Sequence, residues 1–278
     1  MEKEGHSIKL DDLLNLSGDD VVKVRFHKYN GEYDPVDLFL DDSEIVNTQW
    51  TFWRTKRRFY NVGDTVISLL RLGNDRWLLT TVKRVTKELD VLGGVNYEGE
   101  EIPYLSGYFG RLIIRFHKSF QSSCRVFKGI KDELVVDSML SSVYDGDGFP
   151  GYDKVCLSWA KLKNVIDRNK GDWIAALSNQ KAVYVITDTS NGKLYVGSAT
   201  AENGMLLDRW RTYVKNGHGD NRELKRIIET KGVGHVRQYF QYSILENYNQ
   251  HVDDSVILAR ESWWKRILDS RAHGYNVN

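Results

Sequence analysis

The sequence has few of the residues that stabilise small secreted domains. Only two cysteines, Cys124 and Cys156, occur among 278 residues, and there are only three prolines. This argues against a disulfide scaffold, and a reducing cytoplasm is the expected compartment. No apolar run approaches the roughly 18 residues of a membrane-spanning helix. The N-terminus has no signal-peptide core, so we expect no membrane partner.

The chain also lacks an excess of one charge. Its 39 basic and 38 acidic residues give a formal net charge of +1, which by itself does not indicate nucleic-acid binding. The charges are locally uneven, because residues 53–58 are rich in lysine and arginine. Oppositely charged faces are compatible with a neutral sum. With 41% hydrophobic and 28% charged residues, we expect a globular chain of two domains.

The first part of the chain is rich in short β-branched and aromatic runs between turn residues, which is typical of strands. These runs are residues 21–26, 64–70, 76–82 and 110–116, with 71–75 as a hairpin tip. They predict a mainly β, barrel-like domain over residues 1–131. Apolar residues then recur at helical spacing over 134–143 and 159–177, so 132–180 is predicted to be a helical connecting segment.

The last hundred residues show a clear order of strands and helices. The predicted strands are 182–187, 193–197 and 239–245, and the predicted helices are 206–215, 222–231 and 255–268. Asn191-Gly192 marks a hairpin between the first two strands. The apolar face of the last helix is expected at Val256, Leu258, Ala259, Trp263 and Ile267.

Two short motifs in this region carry a family resemblance. Val183-Tyr184-Val185 and Tyr195-Val196-Gly197 resemble the two halves of the GIY-YIG nuclease signature. Valine stands where that signature has glycine and isoleucine in the first half, and where it has isoleucine in the second. Both tyrosines are present, and their separation of 195 − 184 = 11 residues is the one that the family hairpin requires.

The remaining positions of the family pattern follow in order. Arg209 and Tyr213 are four residues apart and so share a helix face. Glu261 is similar to the family's metal-binding glutamate on a late helix, and Asn276 to its asparagine near the end of the domain. The resemblance spans about residues 182–278 and implies an α+β fold, with a small antiparallel sheet flanked by helices over 181–278.

The resemblance also implies roles for these residues. Glu261 would bind Mg²⁺ or Mn²⁺, and a single carboxylate with several waters suits Mg²⁺. The guanidinium of Arg209 would hold a phosphate oxygen, for which its planar fork is well suited. Tyr184 would activate the attacking water with help from a cation, because a free tyrosine titrates near pH 10. Tyr195 and Tyr213 would hydrogen-bond water or phosphate, and Asn276 would orient the backbone.

Each of these residues also has an ordinary structural interpretation. Tyrosines in paired strands are commonly half-buried, and a helix glutamate such as Glu261 is commonly solvated or paired, here with Lys265 at i+4. The joint order and spacing of six positions favour the nuclease. That hypothesis requires Arg209 and Glu261 to face one shared cleft.

Further residues are candidates for contacts with DNA. Arg211, Lys215 and His218 lie in or just after the predicted arginine helix, where a solvated face is the alternative interpretation. His235 lies in a second glycine-bearing stretch, and an ordinary surface role is the alternative for both histidines.

The N-terminal part offers a second set of candidates. Residues 61–67 and 77–85 resemble the strand pattern of PUA-like small barrels, some of which flip a modified base into an aromatic pocket. The basic residues Arg54, Lys56, Arg57 and Arg58 lie among the aromatic residues Trp50, Phe52, Trp53, Phe59 and Tyr60. Aromatic residues interleaved with basic ones suit base stacking with phosphate contact. A barrel core with solvated basic residues is the alternative.

These observations predict a divalent-metal-dependent endonuclease that acts on double-stranded DNA, with or without base modification. A restriction or phage-defence enzyme with an N-terminal DNA-recognition domain is the favoured role, and a homodimer on DNA would allow both strands to be cut. A mobile-element or repair nuclease is one alternative. A non-catalytic DNA-binding protein that retains the nuclease fold is the other.

Overall fold

The computed structural model describes residues 7–16, 21–201 and 205–277. The chain divides into two compact units, Met1–Asp145 and Gly146–Asn278. The predicted connecting segment 132–180 is therefore not a separate body, because its residues are shared between the two units. Both units combine helices and strands, so the fold is α+β.

The first unit is mainly β. Its strands are β1 Val22–His27, β2 Trp53–Arg54, β3 Thr65–Gly73, β4 Arg76–Glu88, β5 Gly94–Val95, β6 Tyr97–Glu101, β7 Leu112–Arg115, β8 Cys124–Val126 and β9 Val135–Met139. Its helices are α1 Leu10–Leu14 and α2 Pro35–Asp41, with a π-helical segment at Ile45–Trp50 and short 3₁₀ turns at Pro103–Tyr108, Phe127–Gly129 and Lys131–Glu133.

Seven of these strands form one curved sheet in the order β8-β1-β3-β4-β7-β9, with β6 paired to the far half of β4. The sheet is open among the described residues, so the expected barrel does not close. Asn74 and Asp75, with φ of 46° and 60°, form the tight turn between β3 and β4, as hairpin geometry requires. The helix predicted over 134–143 is wrong. The β-branched pair Val135-Val136 begins β9, which extends the sheet along β7.

The aromatic residues around the basic run differ in burial: some belong to the core of this unit and others lie at its surface. Phe52 and Tyr60 are fully buried and pack edge to face with ring centroids 6.1 Å apart. They belong to a small cluster with Tyr97, so both are core residues. Trp53, by contrast, is 44% exposed, and Trp50 is half-buried.

The second unit is a small sheet covered by helices. Its elements are β10 Cys156–Ser158, α3 Trp159–Asp167, α4 Gly171–Ser178, β11 Gln180–Asp188, β12 Lys193–Ala199, α5 Met205–Asn216, α6 Arg222–Lys231, α7 Val233–Tyr239, β13 Phe240–Asn249 and α8 Asp254–Ile267, with a 3₁₀ turn at Tyr152–Lys154. The strand and helix predictions for this region are confirmed to within a few residues.

The antiparallel sheet has the order β10-β13-β11-β12, which places β12 at one end. Alternate residues of β11 point to opposite faces. Tyr184 and Ile186 pack in a cluster with residues of α5, whereas Val183 and Val185 pack with Ile257 of α8. Helices α5 and α8 therefore cover opposite faces of the sheet.

Helix α8 buries a different face from the predicted one. Val256, Leu258 and Ile267 are 45%, 49% and 54% exposed, while Ile257 is buried and Trp264 packs against the same cluster. Two neighbouring stripes of this helix have apolar residues at helical spacing, so the pattern leaves the rotation about the axis open by one residue. The buried stripe is the one that also carries Glu261.

None of the helices in the described ranges combines the length and the apolar character needed to cross a bilayer. Cys124 and Cys156 are both free.

Candidate active site

Three of the residues predicted from the sequence are joined by hydrogen bonds between β11 and α5. The hydroxyl oxygens of Tyr184 and Tyr213 lie 2.9 Å apart. The guanidinium of Arg209 donates from Nε to Tyr184 Oη at 3.1 Å and from Nη2 to Tyr213 Oη at 3.4 Å. It also lies 5.2 Å from the centre of the Tyr213 ring. The i, i+4 spacing on α5 thus brings both side chains to one tyrosine of the hairpin.

This cluster combines one fixed positive charge with two neutral hydroxyls. Burial, followed by the neighbouring Tyr195, raises the pKa of Tyr184 above its usual range, although Arg209 acts in the opposite direction. Burial is also the main cause of the raised pKa of Tyr213. Burial acts to lower the pKa of Arg209, but the phenolic oxygens of Tyr184 and Tyr213 outweigh it, so the guanidinium stays charged.

The hydroxyl groups of Tyr184 and Tyr213 have two protons, and only one of them is used in a hydrogen bond between the two residues. Both phenolic oxygens accept from Arg209, and one of the two hydroxyls donates to the other. The second hydroxyl proton of the pair is not needed within the cluster. A guanidinium with a phenolic donor beside it is suited to a phosphate oxygen.

Two glycines make room for these rings. A Cβ on Gly197, the cross-strand partner of Tyr184, would lie 2.6 Å from Tyr184 Oη. A Cβ on Gly219 would lie 2.2 Å from the ring of Tyr213, and Gly219 has a φ of +53°. Gly197 is part of the recognised motif. Gly219 could have been suspected only from its position after the arginine helix.

Tyr195 is on the same face as Tyr184, because its cross-strand partner is Ile186, two residues further along β11. It is 7% exposed and close enough to affect the pKa of both Tyr184 and Arg209. The sequence pattern did not indicate that Tyr242 belongs to this cluster. Its ring lies 5.9 Å from that of Tyr213, and its buried hydroxyl has no hydrogen-bond partner within the described part of the chain.

Glu261 lies on the other face of the sheet. Ser198 Oγ of β12 donates to Glu261 Oε2 at 2.9 Å, and Lys265 Nζ lies 3.0 Å from Oε1. The side chains of Glu261 and Lys265 are only 14% and 15% exposed. The pairing at i+4 that the ordinary interpretation expects is therefore present.

The donor chemistry around Glu261 fits a hard cation. A carboxylate with a neighbouring hydroxyl is an oxygen environment that Mg²⁺ accepts, with waters completing its coordination. Among residues 7–16, 21–201 and 205–277, no three His, Cys, Asp or Glu side chains form a metal-binding group. Glu261 is the carboxylate that would hold the ion, and Lys265 is the cation that neutralises it in this structure.

Asn276 binds the backbone of the strand between these two groups. Its side-chain amide accepts from Val196 N at 2.8 Å and donates to Val196 O at 2.8 Å. Ser270 Oγ donates to the same Oδ1 at 2.7 Å. The amide therefore replaces a neighbouring strand at the edge of β12 and fixes the position of the tyrosine motif.

The six predicted residues do not form one hydrogen-bonded cluster. They are arranged around residues 195–198 of β12, where Val196 contacts Asn276, Gly197 contacts the ring of Tyr184, and Ser198 contacts Glu261. Because successive residues point to opposite faces, Arg209 and Glu261 approach β12 from opposite sides. The shared cleft expected from the sequence would have to lie along the edge of this strand.

A second hydrogen-bond network, which the sequence pattern also did not indicate, anchors the hairpin. The buried carboxylate of Asp188 accepts from Ser190 Oγ at 2.6 Å, Tyr275 Oη at 2.7 Å, and Asn191 Nδ2 at 3.1 Å. His235 Nε2 lies 2.8 Å from it. This contact gives His235 a structural role rather than a DNA contact. Burial acts to raise the pKa of Asp188, but these hydrogen bonds outweigh it and lower the pKa.

The predicted DNA-contacting residues of α5 differ in availability. Arg211 and Lys215 are exposed on one helix face, and Arg211 pairs with Asp208 at 2.9 Å. His218 Nδ1 accepts from the backbone N–H of Asp220 at 3.0 Å. Burial, followed by Lys225, lowers the pKa of His218, so a neutral imidazole is expected there at pH 7.

The basic run of the first unit is partly neutralised. Arg54 lies 3.0 Å from Glu88, with its side chain only 15% exposed, and Arg58 pairs with the same carboxylate. Lys56 and Arg57 are exposed. Arg58 keeps 53% of its side chain exposed despite this pair, so Arg54 is the member of this run that is largely buried.

Comparison with known proteins finds a limited similarity to endonucleases. No family model matches the chain. The chain is 32% identical over 101 residues to the intron-associated endonuclease 1 of Enterobacteria phage T4, which covers 35% of this chain and 37% of that protein. The chain thus spans little more than a third of that relative's length.

Two solved structures are also similar. One is a mutant of the catalytic domain of the intron endonuclease I-TevI, 28% identical, covering 36% of this chain and 94% of that one, with a TM-score of 0.28. The other is the catalytic domain of the homing endonuclease I-TevI, also 28% identical, covering 35% of this chain and 98% of that one, with a TM-score of 0.28.

Proposed function

We propose that the chain is a DNA endonuclease of the GIY-YIG type, with its active site built around β12 of the second unit. The observation that carries the proposal is the Arg209 guanidinium held by the hydroxyls of Tyr184 and Tyr213. The sequence similarity to an intron-associated endonuclease supports it. The six motif residues are all retained, which favours an active enzyme over a non-catalytic DNA-binding protein.

The residues of this site suit phosphodiester hydrolysis. Arg209 binds a non-bridging phosphate oxygen and stabilises the negative charge that develops on it. The spare hydroxyl proton of the tyrosine pair donates a hydrogen bond to the same phosphate or to the attacking water. Because the pKa of Tyr184 is raised, the hydroxyl is neutral. It orients the water, and it removes a proton only if its own proton is passed on.

Glu261 is the proposed ligand for Mg²⁺ or Mn²⁺. The bound cation would stabilise the departing oxygen. Ser198 holds the carboxylate towards β12, and Asn276 fixes the strand on which Ser198 lies. A phosphate that contacts both Arg209 and Glu261 would lie along the edge of β12. Asn276 occupies this edge at Val196, so the phosphate would lie beyond that residue.

The proposal is tested by measuring the rate at which the protein cleaves supercoiled plasmid and linear DNA in Mg²⁺, with and without EDTA. We expect wild type to nick or cut DNA and EDTA to abolish this. Glu261→Gln should reduce the rate by at least about a hundredfold. Glu229→Gln on the exposed face of α6 is the matched control and should cut like wild type. Full cleavage by Glu261→Gln would overturn the metal assignment, and no cleavage by wild type would overturn the activity.

The biological role has two candidates. Restriction or phage defence would use the first unit to recognise a sequence or modified base. A mobile-element role is favoured at least as well, because the similar phage protein is named as intron-associated. Cutting of many sites in unmodified or modified phage DNA would support restriction, whereas cutting at one long, rare sequence would support the mobile-element role. A dimer on DNA would serve either role.

A further inference from the structure

The first unit contains a cavity of about 520 Å³ at the end of β1. This volume is within the range of roughly 300–1,000 Å³ found for small-molecule sites. Its walls include four aromatic side chains, Tyr29, Tyr33, Trp50 and Trp53. Three of them, Tyr29, Tyr33 and Trp53, are 61%, 40% and 44% exposed. Exposed aromatic side chains gathered around one concavity mark a binding site more often than a solvated surface.

The inner wall of the cavity is held rigidly. His27 is 2% exposed, and its Nε2 lies 2.8 Å from Ser68 Oγ and 3.1 Å from Thr51 Oγ1. Its ring is 6.2 Å from that of Trp50. Arg25 donates to Ser123 Oγ at 2.8 Å and to the backbone oxygen of Trp50 at 3.3 Å. Trp50 is therefore held by the hydrogen bond from Arg25 to its backbone oxygen, and its indole packs against the hydrogen-bonded His27 ring.

The segment that carries the two tyrosines is also ordered by its own contacts. Asn30 Oδ1 accepts from the backbone N–H groups of Glu32 and Tyr33 at 2.9 and 2.8 Å. Tyr29 Oη donates to Gly31 O at 2.8 Å. The backbone of the turn is thus fixed and the Tyr29 ring is held to it, which lowers the entropic cost of binding a planar ligand there.

We infer that this cavity receives a single nucleobase turned out of a DNA duplex. Aromatic rings bind any base through its π-face, and a buried polar side chain such as His27 suits the hydrogen-bonding edge of an uncharged base. Arg25, Lys28 and Glu32 border the same cavity. The two cations outnumber the one carboxylate, which favours the attached phosphates and disfavours a cationic ligand such as a methylated lysine. The inference rests on the proposed action on DNA and assigns the first unit the task of reading one base.

The test measures equilibrium binding of the full chain to short labelled duplexes in EDTA, so that no cleavage is needed. One duplex is fully matched, and the other has a single mispaired base, which leaves the helix at lower cost. We expect wild type to bind the mispaired duplex about tenfold more tightly, as stacking of one base on an aromatic ring allows. Trp53→Ala should remove this preference and Trp53→Phe should retain most of it.

Two further variants make the result specific. Tyr29→Ala removes a largely exposed ring and should weaken the preference without unfolding the unit. Tyr104→Ala removes an aromatic side chain that is 69% exposed but does not line this cavity, and it should bind like wild type.

Several results would overturn the inference. These are equal binding of both duplexes by wild type, a preference that survives Trp53→Ala, equally tight binding of a free nucleoside monophosphate, or preferential binding of a trimethyl-lysine peptide. Because the assay needs no catalysis, a chain that binds the mispaired duplex but never cuts DNA would refute the nuclease proposal alone.

Discussion

The hydroxyl oxygens of Tyr184 and Tyr213 lie 2.9 Å apart, although 29 residues separate them in the chain. Tyr184 lies on β11, the first strand of the hairpin, and Tyr213 lies on α5, the helix that follows the hairpin. Arg209 completes the contact, since its guanidinium donates to both oxygens.

Removing one hydroxyl of the pair should impair catalysis more than folding. In Tyr213→Phe the ring still fills its buried position, but Arg209 and Tyr184 lose one partner. We expect the single-turnover cleavage rate to fall on the order of 10- to 100-fold, with a change of about 1 kcal/mol in the free energy of unfolding. Tyr152→Phe loses a half-buried hydrogen bond to Ala176 O and is the control. An unchanged rate in Tyr213→Phe would show that the pair is only structural.

Adding a methyl group at Gly197 should displace Tyr184. The new Cβ would lie 2.6 Å from Tyr184 Oη, so the ring has to move from its place beside Arg209. We expect Gly197→Ala to lower the free energy of unfolding by about 1–3 kcal/mol and to reduce cleavage at least tenfold. Gly234→Ala, where a Cβ meets nothing within 4 Å, is the matched control. Wild-type cleavage by Gly197→Ala would contradict the fixed position of Tyr184.

Lys265 should compete with the metal ion. Its ammonium group lies 3.0 Å from Glu261 Oε1, where it neutralises the proposed ligand. We expect Lys265→Met to lower the Mg²⁺ concentration for half-maximal cleavage several-fold, because the carboxylate loses its counter-ion. A Mg²⁺ titration of the cleavage rate measures this. A higher Mg²⁺ requirement would show that Lys265 assists the site rather than competes with it.

Asp188 should make the stability of the second unit depend on acid pH. Its folded-state pKa is lowered, so its contribution is present above its unfolded-state pKa of about 3.9. That contribution is lost as the pH falls through the folded-state value. We expect Asp188→Asn to be less stable than wild type at pH 7 by about 2 kcal/mol and the difference to shrink towards pH 3. Urea unfolding at both pH values measures it, and a constant difference would contradict the assignment.

The sequence was informative where the chain order reflects local spacing. The hairpin of Tyr184 and Tyr195, and the i, i+4 relation of Arg209 and Tyr213, follow from strand and helix periodicity alone. The network of Asp188, His235 and Tyr275 does not, because its members come from separate elements. No periodic pattern relates such residues before the tertiary fold is known.

The sequence was less informative where two patterns were equally periodic. The apolar stripe of α8 could lie on either of two adjacent faces, and packing against the sheet selected the one with Ile257. Likewise, the pattern of aromatic and basic residues at 50–60 did not separate core from surface. The structure buries Phe52 and Tyr60 and leaves Trp53 beside a cavity.

A double-mutant cycle of single-turnover DNA cleavage, with Arg209→Ala, Glu261→Gln and the combined variant, decides whether Arg209 and Glu261 act on one phosphate. Groups that act on one phosphate from the two sides of β12 work as a unit. The combined loss should therefore be much smaller than the product of the two single losses. If the losses multiply, or if either single variant cuts DNA like wild type, Arg209 and Glu261 do not serve the same reaction.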